Sequence, residues 1–125
     1  MILDTNAVSA FFDGVPEVVN EVGQATSLYV PVIVIGEYLY GLMSSRECAE
    51  REVRFRGFCA SCQTLRIDAD TAEYYSSVRH RLRLAGKPIP DNDIWIAALA
   101  RQYGQQILSN DRHFDVVDGV SRTGW

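Results

Sequence analysis

Cysteine is scarce in this sequence. The chain has three cysteines, Cys48, Cys59 and Cys62, and an odd number this small does not suit a disulfide framework. Cys59 and Cys62 have the C-x-x-C spacing of zinc ligands, but a structural zinc ion takes about four ligands and the chain has no second such pair. We therefore expect buried or half-buried thiols and no zinc site.

Long apolar runs are absent as well. No run approaches the roughly 20 residues that a membrane span requires, and the start, MILDTNAV, lacks the charged segment and long apolar stretch of a signal peptide. These absences argue against a membrane partner and favour a cytoplasmic location. Because the chain has 125 residues and 47% of them are hydrophobic, we expect one folded domain over residues 1–125.

Positive charge is limited. The net charge is −4 and Lys87 is the only lysine among the 12 basic residues, so the overall charge does not indicate nucleic-acid binding. The arginines are grouped, however, and a guanidinium group suits phosphate. A charge run is more often a solvated helix face, and the sequence leaves both interpretations open. The two groups are Arg46, Arg51, Arg54 and Arg56, and Arg79, Arg81, Arg83 and Lys87.

Short apolar segments alternate with helical patterns along the whole chain. This alternation predicts a three-layer α/β/α sandwich with a central, mainly parallel sheet. Ligands of such folds bind beyond the carboxyl ends of the strands. The predicted strands are MILD, SLYV, TLRI, QQILS and an edge strand in DVVDGVS, and the predicted helices cover about residues 5–12, 16–25, 31–45, 47–60, 68–85 and 91–104.

Two acidic residues stand where their charge is unfavourable. Asp4 closes the first predicted strand; Thr5 or Asn6 is available to cap the following helix, which leaves Asp4 surplus to that role. Glu37 is the only charge in VPVIVIGEYLYGLMS, and its helical neighbours are apolar or small, so solvent exposure is disfavoured. Burying an unpaired carboxylate costs free energy. Glu37 is therefore expected either to pair with an arginine or to be retained for a functional role.

The segment PDNDIWIAALA contains two acids that cannot share a helix face. Residues two apart on a helix point about 200° away from each other. Asp93 is in line with Ala97 and Ala100, small residues that let a helix lie close to a sheet, whereas Asp91 follows Pro90 at the natural N-cap position. We therefore predict that Asp93 faces inward and that Asp91 caps the helix.

A further acid, Asp111, lies two residues after the strand QQILS. Alone it is an ordinary turn residue, but parallel strands beside each other would bring Asp4 and Asp111 to one edge. Converging carboxylates repel one another, and a divalent cation offsets that repulsion. Oxygen ligands suit Mg²⁺ or Mn²⁺ better than Zn²⁺. We expect His113, in a turn, to be solvated.

These segments resemble the motifs of the PIN-domain ribonucleases, in particular the VapC-type toxins of prokaryotic toxin–antitoxin pairs. The resemblance covers nearly the whole chain. Each motif is weak by itself, but four of them in order at fitting distances form a specific pattern. The matching segments are ILDTNAVSA, VIVIGEYLYG, PIPDNDIWIAALA and ILSNDRHF.

The resemblance implies an endoribonuclease that hydrolyses RNA phosphodiesters with Mg²⁺ or Mn²⁺. By this resemblance, Asp4, Asp93 and Asp111 of this chain would hold the metal ion, directly or through water. Glu37 would position or deprotonate the attacking water. The resemblance also implies three accessory residues. Asn6 and Ser109 match positions that steady the acids by hydrogen bonds, and Asp91 matches a position that is less constant in such proteins.

Family resemblance also implies partners: a cognate antitoxin, and a homodimer or toxin–antitoxin hetero-oligomer. Aromatic residues are candidates for either an interface or the core. The aromatic candidates are Phe11, Phe12, Tyr38, Tyr40, Phe55 and Phe58.

An alternative function is a non-cleaving PIN-like binding module in a regulatory complex. A second alternative, a receiver-like signalling domain, would need a lysine after a late strand, whereas Lys87 follows a predicted helix.

Overall fold

The structure is a computed structural model that describes residues 1–125. Its elements follow the predicted alternation, with six α-helices, five short strands and one 3-10 helix. In chain order they are β1 (Ile2–Leu3), α1 (Thr5–Phe12), α2 (Pro16–Gln24), β2 (Tyr29–Pro31), α3 (Val32–Leu42), α4 (Cys48–Ala60), β3 (Gln63–Leu65), α5 (Ala69–Leu84), α6 (Asp91–Tyr103), β4 (Ile107–Leu108), the 3-10 helix (Arg112–Val116) and β5 (Arg122–Thr123).

All five strands are parallel and stand in the order β3-β2-β1-β4-β5. The chain moves from β1 to β2 and β3 on one side, then returns to β4 and β5 on the other. Right-handed crossovers therefore place α1–α4 on one face and α5 and α6 on the other. The predicted three-layer α/β/α fold is confirmed. The reversal between β1 and β4 creates a crevice at their carboxyl ends.

The centre of the sheet is completely buried. Ile2 pairs with Ile107 and Leu3 with Leu108, and none of these side chains is exposed to solvent. The helix α6 is buried along Ile96–Ala100, where alanines let it lie close to the sheet. Apolar strands of this length need helices on both faces. The sheet therefore holds β1 and β4 rigidly beside each other.

The start of α5 and the end of α6 are each explained by local sequence. Asp68 caps α5 in a capping box with Thr71, in which each side chain bonds to the other residue's backbone. Gly104 ends α6 in the left-handed conformation, with φ of 62°, which glycine adopts without steric strain. Both ends lie where the sequence predicts them.

The end of the chain differs from the prediction. Residues 115–121 do not form the edge strand; the 3-10 helix and a turn occupy most of them, and the strand is Arg122–Thr123. Arg122 explains this placement. Its guanidinium donates two hydrogen bonds to Asp115, at 2.7 and 2.9 Å, and a third to the backbone oxygen of Ser109 at 2.9 Å.

The other sequence features have structural roles. The three cysteines are free and half-buried, as expected. In the first arginine group, Arg51 and Arg56 form ion pairs with glutamates one turn away on the exposed face of α4, as expected for a solvated helix face.

Of the aromatic candidates, Tyr38 and Phe55 belong to the core, whereas Tyr40 is 77% exposed. None of the helices combines the length and apolar character that a bilayer span requires.

Candidate active site

The crevice at the carboxyl ends of β1 and β4 contains all four of the predicted acids. Asp4 follows β1 and Asp111 lies three residues after the end of β4, while Glu37 and Asp93 enter from α3 and α6. The four side chains line one open cleft of about 480 Å³. The structure therefore brings together acids that lie up to 107 positions apart in the chain.

Asp4 is the most deeply placed of these acids, with 5% of the residue exposed. Its Oδ1 accepts a hydrogen bond from the backbone N–H of Thr5 at 2.8 Å, so Asp4 itself caps α1. The expectation that Thr5 or Asn6 provides the cap is therefore wrong. Oδ2 accepts from Asn6 Nδ2 and Ser109 Oγ, which leaves Oδ1 with a lone pair for a ligand.

Ser109 and Asn6 connect the ends of the two central strands. The fully buried Ser109 hydroxyl donates to Asp4 Oδ2 at 2.6 Å and accepts from the backbone N–H of Asp111 at 2.9 Å. Asn6 donates to both Asp4 and Ser109, and its Oδ1 accepts from the backbone N–H of Asn110 at 3.2 Å. This network holds Asp4 in a single orientation.

Glu37 is half-buried and has no arginine partner. Its Oε1 accepts a hydrogen bond from Asn92 Nδ2 at 2.8 Å, and its Oε2 accepts one from the Thr5 hydroxyl. No sequence pattern indicates the role of Asn92, which lies 55 positions away on another helix. Both contacts orient the carboxylate while each oxygen keeps further acceptor capacity.

Asp91 and Asp93 point to different environments, as their spacing predicts. The side chain of Asp93 is 15% exposed and faces the cleft, whereas that of Asp91 is 61% exposed. The predicted capping role of Asp91 is wrong, because α6 begins at Asp91 and its N-cap, Pro90, has no side-chain hydrogen bond. Asp91 instead accepts hydrogen bonds from Tyr75 and Arg79 on α5.

His113 belongs to the acid cluster, contrary to the expectation that it is only solvated. Its Nδ1 lies 2.8 Å from Asp93 Oδ2 and 2.9 Å from Asp111 Oδ1, although the side chain is 47% exposed. The 3-10 helix, capped by Asp111, folds the histidine back over the cleft. The hydrogen bond to Asp93 raises the pKa of His113, and the charge of Asp111 raises it further.

The cleft has an excess of negative charge. Burial raises the pKa of Asp4, and the nearby charges of Asp93 and Glu37 raise it further, against the hydrogen bonds from Ser109 and Thr5. Burial also raises the pKa of Asp93, and Asp111 adds to this effect. No arginine or lysine forms an ion pair with any of the four acids.

This donor set fits a divalent cation. Ligand atoms of Asp93, Asp111 and His113 all lie within 4.8 Å of one another, and Asp4 presents a free lone pair on the same cleft. Carboxylate oxygens are the ligands that Mg²⁺ and Mn²⁺ prefer. A cation would remove the repulsion that raises the carboxylate pKa values.

Replacing Ser109 by alanine tests the network beneath the acids. We expect Ser109→Ala to lower the free energy of unfolding by about 1–3 kcal/mol, since buried polar groups lose their partner. The affinity for Mn²⁺ should fall by about 10–100-fold, as is usual when groups that orient metal ligands are removed. Urea unfolding and Mn²⁺ titration measure the two effects. The exposed Ser121→Ala variant is the control, and equal behaviour of both variants would contradict the assignment.

Comparison with known proteins identifies the family. The sequence profile of the PIN domain matches residues 1–120. The chain belongs to the PIN domain family. Among its relatives, ribonuclease VapC2 of Haemophilus influenzae is 31% identical over 99% of this chain and 96% of its own length. The match is therefore to a whole VapC protein, and the receiver-like alternative is excluded.

Solved structures show the same fold. VapBC2 from Rickettsia felis, crystallised with a DNA fragment from its promoter, contains a chain with a TM-score of 0.89 and 21% identity, over 99% of this PIN domain and 97% of that chain. VapBC-5 from Mycobacterium tuberculosis, a member of the VapBC family of toxin–antitoxin systems, gives a TM-score of 0.70 and 22% identity over 98% and 94%. The PIN fold therefore extends over essentially the complete chain.

Proposed function

We propose that this PIN-domain protein is a metal-dependent endoribonuclease and the toxin of a toxin–antitoxin pair. The observation that carries the proposal is the cleft at the β1–β4 crevice, which gathers four carboxylates with no arginine or lysine to neutralise them. The VapC relatives, several of which are named ribonucleases, support the same reaction. A non-cleaving binding module would have no need of such an unfavourable arrangement.

In this proposal Asp4, Asp93 and Asp111 hold the cation, and His113 completes the rim of the site. A bound Mg²⁺ or Mn²⁺ supplies a water of lowered pKa and offsets negative charge on the phosphate. Ser109 and Asn6 keep Asp4 oriented, so little reorganisation is needed when the ligand arrives. Asn6 and Ser109 therefore contribute to the site by positioning Asp4.

Glu37 is the proposed base for the attacking water. Its two oxygens are oriented by Thr5 and Asn92 but keep unused lone pairs that face the same cleft as Asp4 and Asp93. A carboxylate in this position accepts a proton from water as the water attacks phosphorus. The phosphodiester bond then breaks, and the leaving oxygen takes up a proton from solvent.

The proposed partners are RNA and an antitoxin protein. Solved VapBC assemblies share this fold, and one of them is described as a member of a family of toxin–antitoxin systems. We propose a homodimer or toxin–antitoxin hetero-oligomer for this protein, acting in the cytoplasm, where its RNA substrates are. The exposed side chains of Tyr40 and Met43, near the end of α3, are available for contact with a protein partner.

Incubation of the purified protein with total cellular RNA tests the proposal. We expect discrete cleavage products with Mn²⁺ for the wild-type protein and a reduction of about a hundredfold or more for Glu37→Gln, because a general base contributes about 10²–10⁴-fold. Primer extension would map the cut sites. Intact RNA after incubation with folded wild-type protein and Mn²⁺ would favour the binding module instead.

A further inference from the structure

One side chain beside the acids of the cleft offers nitrogen instead of oxygen. His113 Nδ1 lies 2.8 Å from Asp93 Oδ2 and 2.9 Å from Asp111 Oδ1, and ligand atoms of the three residues lie within 4.8 Å of one another. In an octahedral site with bonds of about 2.0–2.1 Å, neighbouring ligand atoms are about 2.9 Å apart. The nitrogen therefore stands at the distance from each oxygen that two ligands of one ion have.

The backbone holds the imidazole in this place. Asp111 Oδ1 accepts a hydrogen bond from the backbone N–H of His113 at 2.9 Å, which caps the 3-10 helix. Asp111 is fixed in turn, because its own backbone N–H donates to Ser109 Oγ at 2.9 Å. Asp93 belongs to the first turn of α6. The ring can thus share an ion with both acids without a rearrangement of the chain.

A hydrogen bond and a shared metal ion give similar distances, so the position of the ring proton distinguishes them. His113 Nε2 forms no hydrogen bond within the protein, and 47% of the side chain is exposed. The neutral ring can therefore carry its proton on Nε2, where water accepts it, and direct the Nδ1 lone pair at the cluster. Asp93 Oδ1 and Asp111 Oδ2 accept no hydrogen bond from the protein, so both acids also keep lone pairs for an ion.

We propose that His113 Nδ1 is a direct ligand of the cation in the acid cleft and gives the site a preference for Mn²⁺ over Mg²⁺. This inference rests on the proposed function and identifies the ion that the site prefers. Mg²⁺ takes oxygen ligands in a near-ideal octahedron and keeps several waters, whereas imidazole nitrogen is a common ligand of first-row transition metals. Carboxylates alone would favour neither ion in this way, because carboxylate oxygen suits both.

Pulsed electron paramagnetic resonance of the Mn²⁺-loaded protein tests the ligand directly. The chain has only two histidines, and the other one, His80, is exposed on α5. Two variants therefore assign any coupling between bound Mn²⁺ and an imidazole nitrogen. We expect the wild-type protein and His80→Ala to show this coupling and His113→Ala to lose it. A wild-type spectrum without the coupling would overturn the inference.

Calorimetric titration with each ion measures the preference. We expect His113→Ala to weaken Mn²⁺ binding by about tenfold or more and Mg²⁺ binding by less than about threefold, with His80→Ala unchanged. His113→Asn separates a ligand from a hydrogen-bond donor, because its amide nitrogen can donate to the two acids but has no lone pair for a metal ion. It should lose the preference as His113→Ala does. If His113→Asn keeps the wild-type ratio of the two affinities, the histidine is only a donor and the inference is wrong.

The outcomes separate this inference from the proposed function. If the Mn²⁺-loaded wild-type protein cleaves RNA but shows no nitrogen coupling, only the nitrogen ligand is refuted. If the coupling is present but total RNA stays intact, the inference holds and the ribonuclease proposal is wrong. A folded wild-type protein that binds no Mn²⁺ in the titration overturns the inference together with the proposed metal dependence.

Discussion

Asp93→Asn is expected to lower kcat/KM for RNA cleavage by about a thousandfold, whereas Asp91→Asn should change it by less than about tenfold. The larger loss corresponds to about 4 kcal/mol of transition-state stabilisation. Asp93 faces the acid cleft, and its carboxylate shares His113 with Asp111. Asp91 is two residues away, but its carboxylate is directed toward Tyr75 and Arg79.

A fluorogenic RNA oligonucleotide with saturating Mn²⁺ measures both constants. Asp70→Asn is a suitable control, because Asp70 is an exposed acid in the first turn of another helix. Circular dichroism should show the same helical content for all three variants. Equal losses for Asp91→Asn and Asp93→Asn would contradict the proposed difference between the two acids and would place the reaction elsewhere.

Removal of divalent cations is expected to abolish cleavage and to lower thermal stability. A ligand at about 100 times its dissociation constant stabilises the folded state by about 2.7 kcal/mol. For a domain of this size that corresponds to about 10 °C in Tm. We therefore expect Mn²⁺ to raise Tm by this amount relative to EDTA, and to raise it much less in Asp93→Asn. Cleavage that persists in excess EDTA would contradict the metal requirement.

The pH dependence of the metal-free protein has a defined sign. The pKa values of Asp4 and Asp93 are raised above 3.8, so the folded state binds protons more tightly than the unfolded chain. Stability is therefore lost as pH rises from the ordinary aspartate value through the raised one. His113, with a pKa raised above 6.5, contributes stability that is complete below 6.5 and lost as pH rises through its raised pKa.

Both effects lower stability as pH rises: the aspartate effect begins at about pH 4, and the His113 effect adds to it only above pH 6.5, so stability falls over the range from about pH 4 to pH 7. In EDTA we expect the free energy of unfolding, measured by urea titration, to fall over this range, and to fall less steeply for Asp93→Asn. Asp68 and Asp115 have lowered pKa values, so their effects lie below this window. A wild-type stability that rises from pH 4 to pH 7 without metal would show that burial and repulsion of these carboxylates do not control the pH dependence.

Much of the fold follows from local patterns. The alternation of apolar segments with helical ones predicts the α/β/α layers, and the helix that begins after Asp68 is capped where a capping residue is available. The misplaced edge strand shows the limit of this reasoning. Residues 115–121 contain valines, but β5 begins only at Arg122, because Arg122 binds Asp115 and the end of β4.

Some residues of the candidate site can be predicted from the sequence, and others cannot. Asp4, Glu37, Asp93 and Asp111 are recognisable from the sequence, because each stands at a strand end or in an apolar helix where an acid is unfavourable. The contacts of Asn92 and His113 are not recognisable, because a polar residue in a turn or helix start has many possible partners. Asp4 also serves as both a helix cap and a cleft acid, which the sequence presents as alternatives.

The sequence by itself determined the layer order and which acids stand at the ends of buried segments, because strand and helix periodicities are properties of neighbouring residues. The tertiary structure alone decided which groups touch: Ser109 reaches Asp4 across 105 positions, and Asn92 reaches Glu37 across 55. Hydrogen bonds and charge repulsion depend on distances of a few ångströms, and those distances are set by the parallel pairing of β1 with β4 and by the packing of α3 against α6.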